Sequence, residues 1–318
     1  MVKRIGVLTA GGDAPGMNAA IRAVARTGMT YGLELYGIHD GYLGMYEGRI
    51  EPMNRKSVSE KMSNGGTFLG TARLADFALE EVRKVAISKL KEFGIDAVVA
   101  IGGDGTYRGA LALHEMGIKT VAIPATIDND IEGTDFTIGF DTALQTIVEA
   151  VDKLRDTSSS HGRCSIVEVM GRNCGDLAIW TGIATGAEYV ICKEVGYNLK
   201  DVLANINKAA LVKNHAIIIV AENMVNLNEL AKQVGENTPF EARTTILGHV
   251  QRGGSPTPRD RVLASQMGSA AIHALMKDDS GISVAFKNNK IITIPIKNAI
   301  KQDDTQVLDM CKLFKELW

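Results

Sequence analysis

The sequence predicts an α/β protein whose two halves each form a mainly parallel sheet with helices on both faces. Three observations carry this expectation. Short apolar runs of strand length recur, as at Ala97 to Ile101 and Ile217 to Ala221, and read as buried strands. These runs lead through glycine-bearing or acidic loops into stretches of helical period, and such alternation is the mark of parallel sheets. The length, 318 residues, suggests two domains; no repeat of fixed period points to a solenoid.

In chain order, Arg4 to Thr9 reads as the first strand and Ala10 to Gly16 as its loop. A helix follows from Met17 to Thr30, with Ile21, Val24 and Ala25 on one side. Leu33 to Ile38 is the next strand. Gly41 to Asn64 shows scattered glycines and no clean period, so no element is assigned there. A loop opens at Gly65-Gly66-Thr67 and ends at Thr71-Ala72-Arg73. Glu80 to Phe93 is helical because Val82, Val85, Ala86, Leu90 and Phe93 approximate a 3.6-residue period. After the strand Ala97 to Ile101, Gly102 to Thr106 turns the chain into a helix ending near Met116. Thr120 to Ile123 is a short buried strand that Pro124 should end, having no N–H for a ladder.

The second half begins near Gly139. Asp141 or Thr142 can cap a helix whose Leu144, Ile147, Val148, Val151 and Leu154 form one stripe. Strand Ser165 to Met170 runs into Gly171-Arg172. Helix Leu177 to Thr185, a short strand near Tyr189, helix Asp201 to Val212 and strand His215 to Ala221 follow. Asn223 to Pro239 is mixed helix and loop, and strand Thr245 to Leu247 leads to Gly248 to Gly254. A long helix, Arg259 to Met276, should turn Val262, Leu263, Met267, Ala270, Ala271 and Leu275 inward. Two short strands and a helix to Trp318 close the chain.

Composition narrows the function. The apolar fraction, 45%, is that of a globular protein, and no apolar run reaches membrane-spanning length. The apolar stretch after Lys3-Arg4 is cut at Gly11-Gly12-Asp13, too early for a signal-peptide core. A net charge of −2 argues against a general nucleic-acid surface. Cys164, Cys174, Cys192 and Cys311 show no CxxC pairing, so free thiols in a reducing cytosol are expected. The expectation is a cytoplasmic protein without nucleic-acid or membrane partners.

The loops carry the chemistry. Gly11-Gly12-Asp13 and Gly102-Gly103-Asp104-Gly105 each join a strand to a helix, exposing N–H groups and a helix dipole that attract phosphate. Neither matches GxxxxGK[ST] or GxGxxG; a purely structural turn is the alternative for either one, and the pair favours a nucleotide. An acid beside phosphate is repulsive unless a cation intervenes, which makes Asp104 a candidate Mg²⁺ ligand; an N-cap is the other role open to it. The stretch Ile123 to Asp130 presents Thr126, Asp128 and Asp130 at the carboxyl end of a strand, where open α/β sheets put their ligands. Two acids this close need a metal, an arginine or a proton between them; a turn rich in Asx caps is the bland reading. Arg73, Arg163, Arg172, Arg243 and Arg252 stand near strand–loop boundaries and suit phosphate recognition, although each alone could be solvated surface. Glu222 can accept from a sugar hydroxyl or cap a loop, and His249 can bind phosphate or sugar or serve structure. Arg22 and Arg26 lie one helical turn apart; Arg55, Arg155, Lys213 and His215 could join them only in three dimensions.

These residues also carry a resemblance. Residues 6–21 (GVLTAGGDAPGMNAAI), 101–106 (IGGDGT), 126–130 (TIDND), 169–172 (VMGR) and 248–256 (GHVQRGGSP) together resemble the bacterial ATP-dependent 6-phosphofructokinases over essentially the whole chain. GGDGT alone would not, because NAD kinases and diacylglycerol kinases carry a similar element. The resemblance implies two Rossmann-like α/β/α domains: residues 1–138 with 251–301 for ATP, and 139–250 with 302–318 for sugar phosphate. It implies transfer of the ATP γ-phosphoryl to the 1-hydroxyl of fructose 6-phosphate, a step of glycolysis. Asp128 would be the general base. Thr126 and Arg172 would hold the transferring phosphoryl, and Asp104, helped by Asp130, would place Mg²⁺. Gly12, Arg73, Leu74, Gly103, Asp104, Gly105 and Thr106 would hold ATP. Met170, Gly171, Glu222, His249 and Arg252 would hold the sugar phosphate. Arg163 and Arg243 would do so from a neighbouring subunit, making the site depend on a homotetramer.

The phosphate donor follows from two positions. Related pyrophosphate-dependent enzymes typically carry aspartate at position 105 and lysine at 125; this chain has Gly105 and Ala125, which favours ATP. The resemblance also implies an effector site for ADP or phosphoenolpyruvate at Arg22, Arg26, Arg55, Ser59, Glu60, Arg155, Gly186, Glu188, Lys213 and His215. Leu211 and Asn214 stand where cations are often found, and two missing cations weaken anion binding there. The competing readings are a pyrophosphate-dependent phosphofructokinase, another GGDGT-type kinase, which leaves TIDND and VMGR unexplained, and a non-catalytic nucleotide sensor, which needs no base at Asp128.

Overall fold

The computed structural model describes residues 2–301 and 305–317. In chain order its elements are β1 (Arg4–Ala10), α1 (Met17–Thr30), β2 (Glu34–Ile38), α2 (Gly41–Glu47), β3 (Ile50–Met53), α3 (Glu80–Glu92), β4 (Ala97–Gly102), α4 (Asp104–Glu115) and β5 (Lys119–Pro124). Then come α5 (Phe140–His161), β6 (Arg163–Val169), α6 (Asp176–Thr185), β7 (Tyr189–Ile191), α7 (Leu199–Ala210), β8 (Ala216–Ala221), α8 (Leu227–Asn237) and β9 (Glu241–Ile246). The chain closes with α9 (Pro258–Met276), β10 (Ile282–Lys287), β11 (Lys290–Pro295), α10 (Ile296–Ala299) and α11 (Thr305–Leu317). It divides into two compact units, Met1–Thr142 with Arg252–Gln302, and Ala143–Gln251 with Asp303–Trp318. The expected boundary after residue 301 and the expected helix end at Trp318 touch residues outside those described.

The first unit is built on a seven-stranded sheet of order β11-β10-β5-β4-β1-β2-β3. Pairing is parallel from β10 through β2, with β11 and β3 antiparallel at the edges. β4 is buried at every position, as a strand covered on both faces requires. On one face α9 packs against α1, β5 and β10. The approach of α9 to α1 is close: a Cβ on Gly268 would stand 2.6 Å from Ala23 Cβ and 2.8 Å from the Ala20 carbonyl. The opposite face is covered by Tyr42 and Met45 of α2, Ala86 and Leu90 of α3, Tyr107 and Leu113 of α4, and Ile296 of α10.

The second unit carries a four-stranded, wholly parallel sheet of order β7-β8-β6-β9. Val202 and Ile206 of α7 and Leu230 and Val234 of α8 pack with Ile166, Ile218 and Val220 of the strands. Helix α11 lies on α6. The mixed α/β class and mainly parallel sheets expected from the sequence are therefore present.

Several local expectations need correction. α2 and β3 occupy part of the segment left without elements. Val85 is 40% exposed and Val262 57% exposed, so neither faces inward; both sit at the margin of a stripe whose other members suffice for packing. Pro124 is the last residue of β5 rather than a residue beyond it: it pairs with Gly102 and offers only its carbonyl, which accepts Ile138 N–H at 3.0 Å. β9 begins at Glu241, four residues earlier than expected, because an edge strand with exposed residues lacks an apolar run. Neither Asp141 nor Thr142 caps α5. Asp260, buried at the start of α9, accepts Gly139 N–H and Thr142 N–H at 2.9 Å each and the Thr142 hydroxyl at 2.6 Å. Burial pushes its carboxyl up to about 6 against the pull of those donors.

Candidate active site

In the first unit β1 has β2 on one side and β4 on the other, so the order reverses between β1 and β4, the position where open α/β sheets bind ligands. Ala10 and Gly102 end these strands opposite each other. Both GGD loops therefore leave the sheet side by side. Gly102 cannot be replaced without displacement: a Cβ there would lie 2.3 Å from Thr106 Oγ1 and 2.5 Å from the Ala10 carbonyl. The Thr106 hydroxyl donates to that carbonyl at 2.8 Å, locking the first turn of α4 to the end of β1. Thr71 closes a third side, donating to the Gly11 carbonyl at 2.7 Å, and so brings the loop bearing Arg73 and Leu74 to the same strand end. Arg73 is exposed and Leu74 half-buried. Arg252 reaches the same loop, its guanidinium donating to the Asp13 carbonyl at 3.2 Å.

Three features of this cluster suit a nucleotide. The N-terminus of α4 opens with Gly103 as its cap. A Cβ at Gly105 would meet nothing within 4 Å, so the backbone there is open to close approach. Tyr42 donates to the Thr106 carbonyl and stacks on Phe77 with ring centroids 4.2 Å apart, joining the 103–106 turn to the segment after Leu74. Neither aromatic residue was legible as part of the site.

Asp104 lies in the first turn of α4 and pairs with Arg108 at 3.0 Å. Among the described residues no group of three or more His, Cys, Asp or Glu could hold a metal ion. Mg²⁺ uses one or two carboxylates together with substrate phosphates and keeps its waters, so the acids present fit a nucleotide-borne ion rather than a protein cage.

The third loop follows β5. Thr126 stands against Gly103, which would bring a Cβ within 3.4 Å of the Thr126 Cβ. Thr126 and Asp128 are both buried, and Asp128 N–H donates to Thr126 Oγ1 at 3.2 Å. Asn129 has φ +55, and its Oδ1 accepts Thr137 N–H at 2.9 Å. The Thr137 hydroxyl donates to the Thr126 carbonyl at 2.7 Å. The loop is thus tied down on both sides of the Asp128 carboxylate.

In the second unit β6, β8 and β9 are neighbours, and their carboxyl ends present Met170-Gly171-Arg172, Glu222 and Gly248-His249 together. Glu222 N–H donates to the Val169 carbonyl at 2.8 Å, and Glu222 Oε1 accepts Arg172 N–H at 2.8 Å. Arg172 has φ +58 after Gly171 at +140, a reversal that leaves the guanidinium side exposed. Gln251, fully buried, accepts Met170 N–H at 3.1 Å and donates to the Gly248 carbonyl at 2.9 Å. It holds two of the three loops and was not singled out from the sequence. Burial, helped by the Glu222 charge, raises the Glu168 carboxyl above its usual range.

Arg163 and Arg243 lie elsewhere. Arg163 opens β6, seven residues before Met170, roughly 20 Å away at ~3.3 Å per residue. It pairs with Glu241 at 2.9 Å, and Arg243 pairs with the same carboxylate. Both are at the amino ends of β6 and β9, opposite to Glu222 and His249.

The expected effector residues fall in both units. In the first, Arg26 on α1 contacts the Arg55 carbonyl and Ser59 Oγ at 3.4 and 3.3 Å, while Arg22 shares the helix and Glu60 has φ +57. In the second, fully buried Glu188 pairs with Lys213 and accepts Ile217 N–H. Arg155 donates to the Thr185 carbonyl, and Gly186 caps α6. His215 is pushed below its usual pKa mainly by burial, against the Glu188 charge. Leu211 is 84% exposed, and Asn214 is engaged with the Ser159 carbonyl at 2.8 Å.

The sequence profile described as phosphofructokinase matches residues 4–275. A Vibrio cholerae protein named ATP-dependent 6-phosphofructokinase is 53% identical over 320 residues, covering 100% of this chain and 100% of that protein. This chain belongs to the phosphofructokinase family. A Tolumonas auensis protein of the same name is 54% identical, covering 95% of this chain and 94% of its own. Among solved structures, phosphofructokinase from Saccharomyces cerevisiae matches with TM-score 0.89 and 34% identity over 99% of this chain, which spans 47% of the yeast chain. A pyrophosphate-dependent phosphofructokinase from Marinobacter aquaeolei matches with TM-score 0.84 at 17% identity, covering 95% of this chain and 84% of its own; at that identity the phosphofructokinase fold is shared and the donor is not addressed.

Proposed function

We propose that this family member is an ATP-dependent 6-phosphofructokinase, a kinase that moves the ATP γ-phosphoryl to the 1-hydroxyl of fructose 6-phosphate and yields fructose 1,6-bisphosphate and ADP. The observation that carries this reading is the adjacency of Thr126 and Asp128 to the glycine turn at Gly103: a buried acid stands beside a phosphate cradle. The names of full-length relatives at 53–54% identity agree with it.

Phosphoryl transfer depends on positioning and charge stabilisation more than on covalent chemistry. Gly12 and the Gly103–Thr106 turn offer N–H groups to the phosphates, with Arg73 and Leu74 on the nucleotide side. Asp128 takes the proton of the sugar 1-hydroxyl as general base. Thr126 Oγ1 already accepts a hydrogen bond, which polarises its own O–H for donation to the moving phosphoryl. Arg172 supplies a guanidinium to the same group. Mg²⁺, when bound, neutralises phosphate charge, and Asp104 would hold it with Asp130, exchanging the Arg108 partner for the ion. Met170, Gly171, Glu222, His249 and Arg252 hold the sugar phosphate. Arg163 and Arg243, at the far end of their strands, serve a neighbouring subunit of a homotetramer. Regulation by ADP or phosphoenolpyruvate would use the Arg26–Ser59 and Glu188–Lys213 clusters, weakened by Leu211 and Asn214. Among the described residues no helix is long and apolar enough to cross a membrane, and we assign the enzyme to the cytoplasm with the rest of glycolysis.

A coupled assay comparing ATP with pyrophosphate tests the donor. Turnover is expected with ATP and not with pyrophosphate. Gly105→Asp should weaken ATP use, because a carboxylate would enter the open space beside the backbone at 105. Equal rates with both donors, or undiminished ATP kinetics in the variant, would remove the donor assignment.

A further inference from the structure

Residues 64–74, which deliver Arg73 and Leu74, contain no helix or strand, so no ladder fixes their path. Side chains from α1 and β1 fix it instead. Asn18, in the first turn of α1 and 2% exposed, directs its whole amide at this one segment. Its Nδ2 donates to the Asn64 carbonyl at 3.1 Å and to the Gly65 carbonyl at 3.2 Å, and its Oδ1 accepts Phe68 N–H at 2.8 Å. Two carbonyls on one side and an N–H on the other decide which end of the amide is which. Thr9, fully buried on β1, takes over where Asn18 stops. Its one hydroxyl proton goes to the Gly70 carbonyl at 2.8 Å, so its oxygen accepts from the Thr67 hydroxyl, also at 2.8 Å.

The segment so held meets the phosphate loops. A Cβ on Gly65 would stand 2.3 Å from the Gly254 carbonyl oxygen, and one on Gly66, at φ +63, would come within 3.8 Å of Asp13 Oδ2. Leu69 is buried, and its carbonyl accepts Asp40 N–H at 2.8 Å. Gly70 N–H closes a turn on the Thr67 carbonyl at 3.1 Å. Thr71, two residues before Arg73, then reaches the Gly11 carbonyl at 2.7 Å. Asn18 thus stands at the upstream end of a continuous chain of contacts that runs from α1 through the 64–70 turns to the Arg73 loop.

We propose that Asn18 is a positioning residue for the nucleotide. It acts through the main chain of residues 64–71, holding the segment in place before ATP arrives so that Arg73 and Leu74 are already set. The inference rests on the proposed function, because ATP is the ligand those two residues would serve. Without the amide, the segment must be ordered by the nucleotide itself, and that loss of freedom is subtracted from affinity. The effect therefore falls on ATP binding, while the chemistry of the bound complex stays with Thr126 and Asp128. Asn18→Asp isolates the hydrogen bonds from volume. A carboxylate of the same shape still accepts Phe68 N–H but turns an oxygen, with no donor, toward the Asn64 and Gly65 carbonyls.

Hydrogen exchange on the full-length protein, resolved to single amides, tests the anchor without an activity measurement. Although it lies in a loop, Phe68 N–H in the wild type should exchange at least about tenfold more slowly than in an unstructured chain. Asn18→Asp should lose that protection while the amides of β8 in the second unit keep theirs. In the same variant KM for ATP, assayed with magnesium chloride, should rise by at least about fivefold, the equivalent of ordering one residue's backbone. The calorimetric Kd for ATP should weaken alongside it, with kcat at saturating ATP and KM for fructose 6-phosphate unchanged. An unprotected Phe68 in the wild type, or protection kept in Asn18→Asp, would overturn the anchor. Lost protection with wild-type KM for ATP, equal rises in both KM values, or a fall in kcat alone would overturn the positioning role. A wild type that binds no ATP would refute the proposed function and the consequence for ATP with it, while exchange at Phe68 would still decide whether Asn18 holds the loop. If Asn18→Asp fails to fold, Asn18→Ser carries the same expectations, and the wild-type exchange rate of Phe68 stands as a test by itself.

Discussion

The loops after β1, β4 and β5 and those after β6, β8 and β9 arise from the same parallel-strand geometry but present different groups. In the first unit the proposed binding surface is mostly backbone: glycine turns pinned by the Thr106 and Thr71 hydroxyls, with the acid at 128 buried and braced. In the second it is mostly side chain: Arg172 and His249 are exposed, the Glu222 carboxylate accepts the Arg172 N–H, and buried Gln251 holds the main chain beneath. A cradle of N–H groups needs no rearrangement to meet phosphate. Long exposed side chains lose rotamer freedom on binding, at about 0.5–1.5 kcal/mol each. The proposed nucleotide side should therefore be intolerant of small steric changes, and the proposed sugar side should respond in affinity more than in fold.

Four substitutions test that contrast. The largest effect is expected from Asp128→Ser, which should lower kcat by at least ~10², the usual contribution of a positioned base, while ATP binding by calorimetry stays nearly intact; unchanged turnover would refute the assignment. Gly102→Ala comes next. Its methyl would meet the Ala10 carbonyl at 2.5 Å, and overpacking of this kind costs about 1–3 kcal/mol. A lowered Tm together with a KM for ATP raised about tenfold would support a rigid cradle, and wild-type values would contradict it. Gln251→Ala strands the Met170 N–H; losing such a partner costs about 1–3 kcal/mol. Here KM for fructose 6-phosphate should rise several-fold with KM for ATP unchanged, and equal changes in both would erase the distinction between the units.

The smallest effect on activity belongs to Asp260→Asn, read by pH. The folded carboxyl titrates at about 6, above the ordinary 3.8, so the native state holds more protons than the unfolded chain between those values. Stability from this group rises as pH falls through 6 towards 4, by no more than about 3 kcal/mol over the window. The wild-type Tm should gain on that of Asp260→Asn as the medium is acidified, and parallel pH profiles would show that the buried carboxylate carries no such term.

Much of this was readable from residue order. Buried parallel strands appear as apolar runs, so β4 and β8 were found within a residue. The phosphate turns and Thr126 to Asp130 announced themselves because chemistry confines those residue types to strand ends. What stayed hidden depends on partners distant in sequence. α2 is seven residues long and contains two glycines, too short to show a period. Asp260 caps a helix that starts 120 residues earlier, where Asp141 and Thr142 were the local candidates. Gln251 and Tyr42 act through single atoms on main-chain groups, and nothing in their immediate neighbours distinguishes them from ordinary polar or core residues.

The interleaved order of the two units has a consequence for biosynthesis. β10 completes the parallel run of the first sheet, and β11 shields its edge, yet both are translated after the whole of residues 143–251. A nascent chain stopped at residue 251 would expose the β5 edge and lack the arginine that braces the Asp13 turn. The second sheet, by contrast, has all four strands by then. Vectorial synthesis should accordingly complete the second unit's sheet first, leaving the first unit open-edged and dependent on chaperone shelter until β10 and β11 have been made.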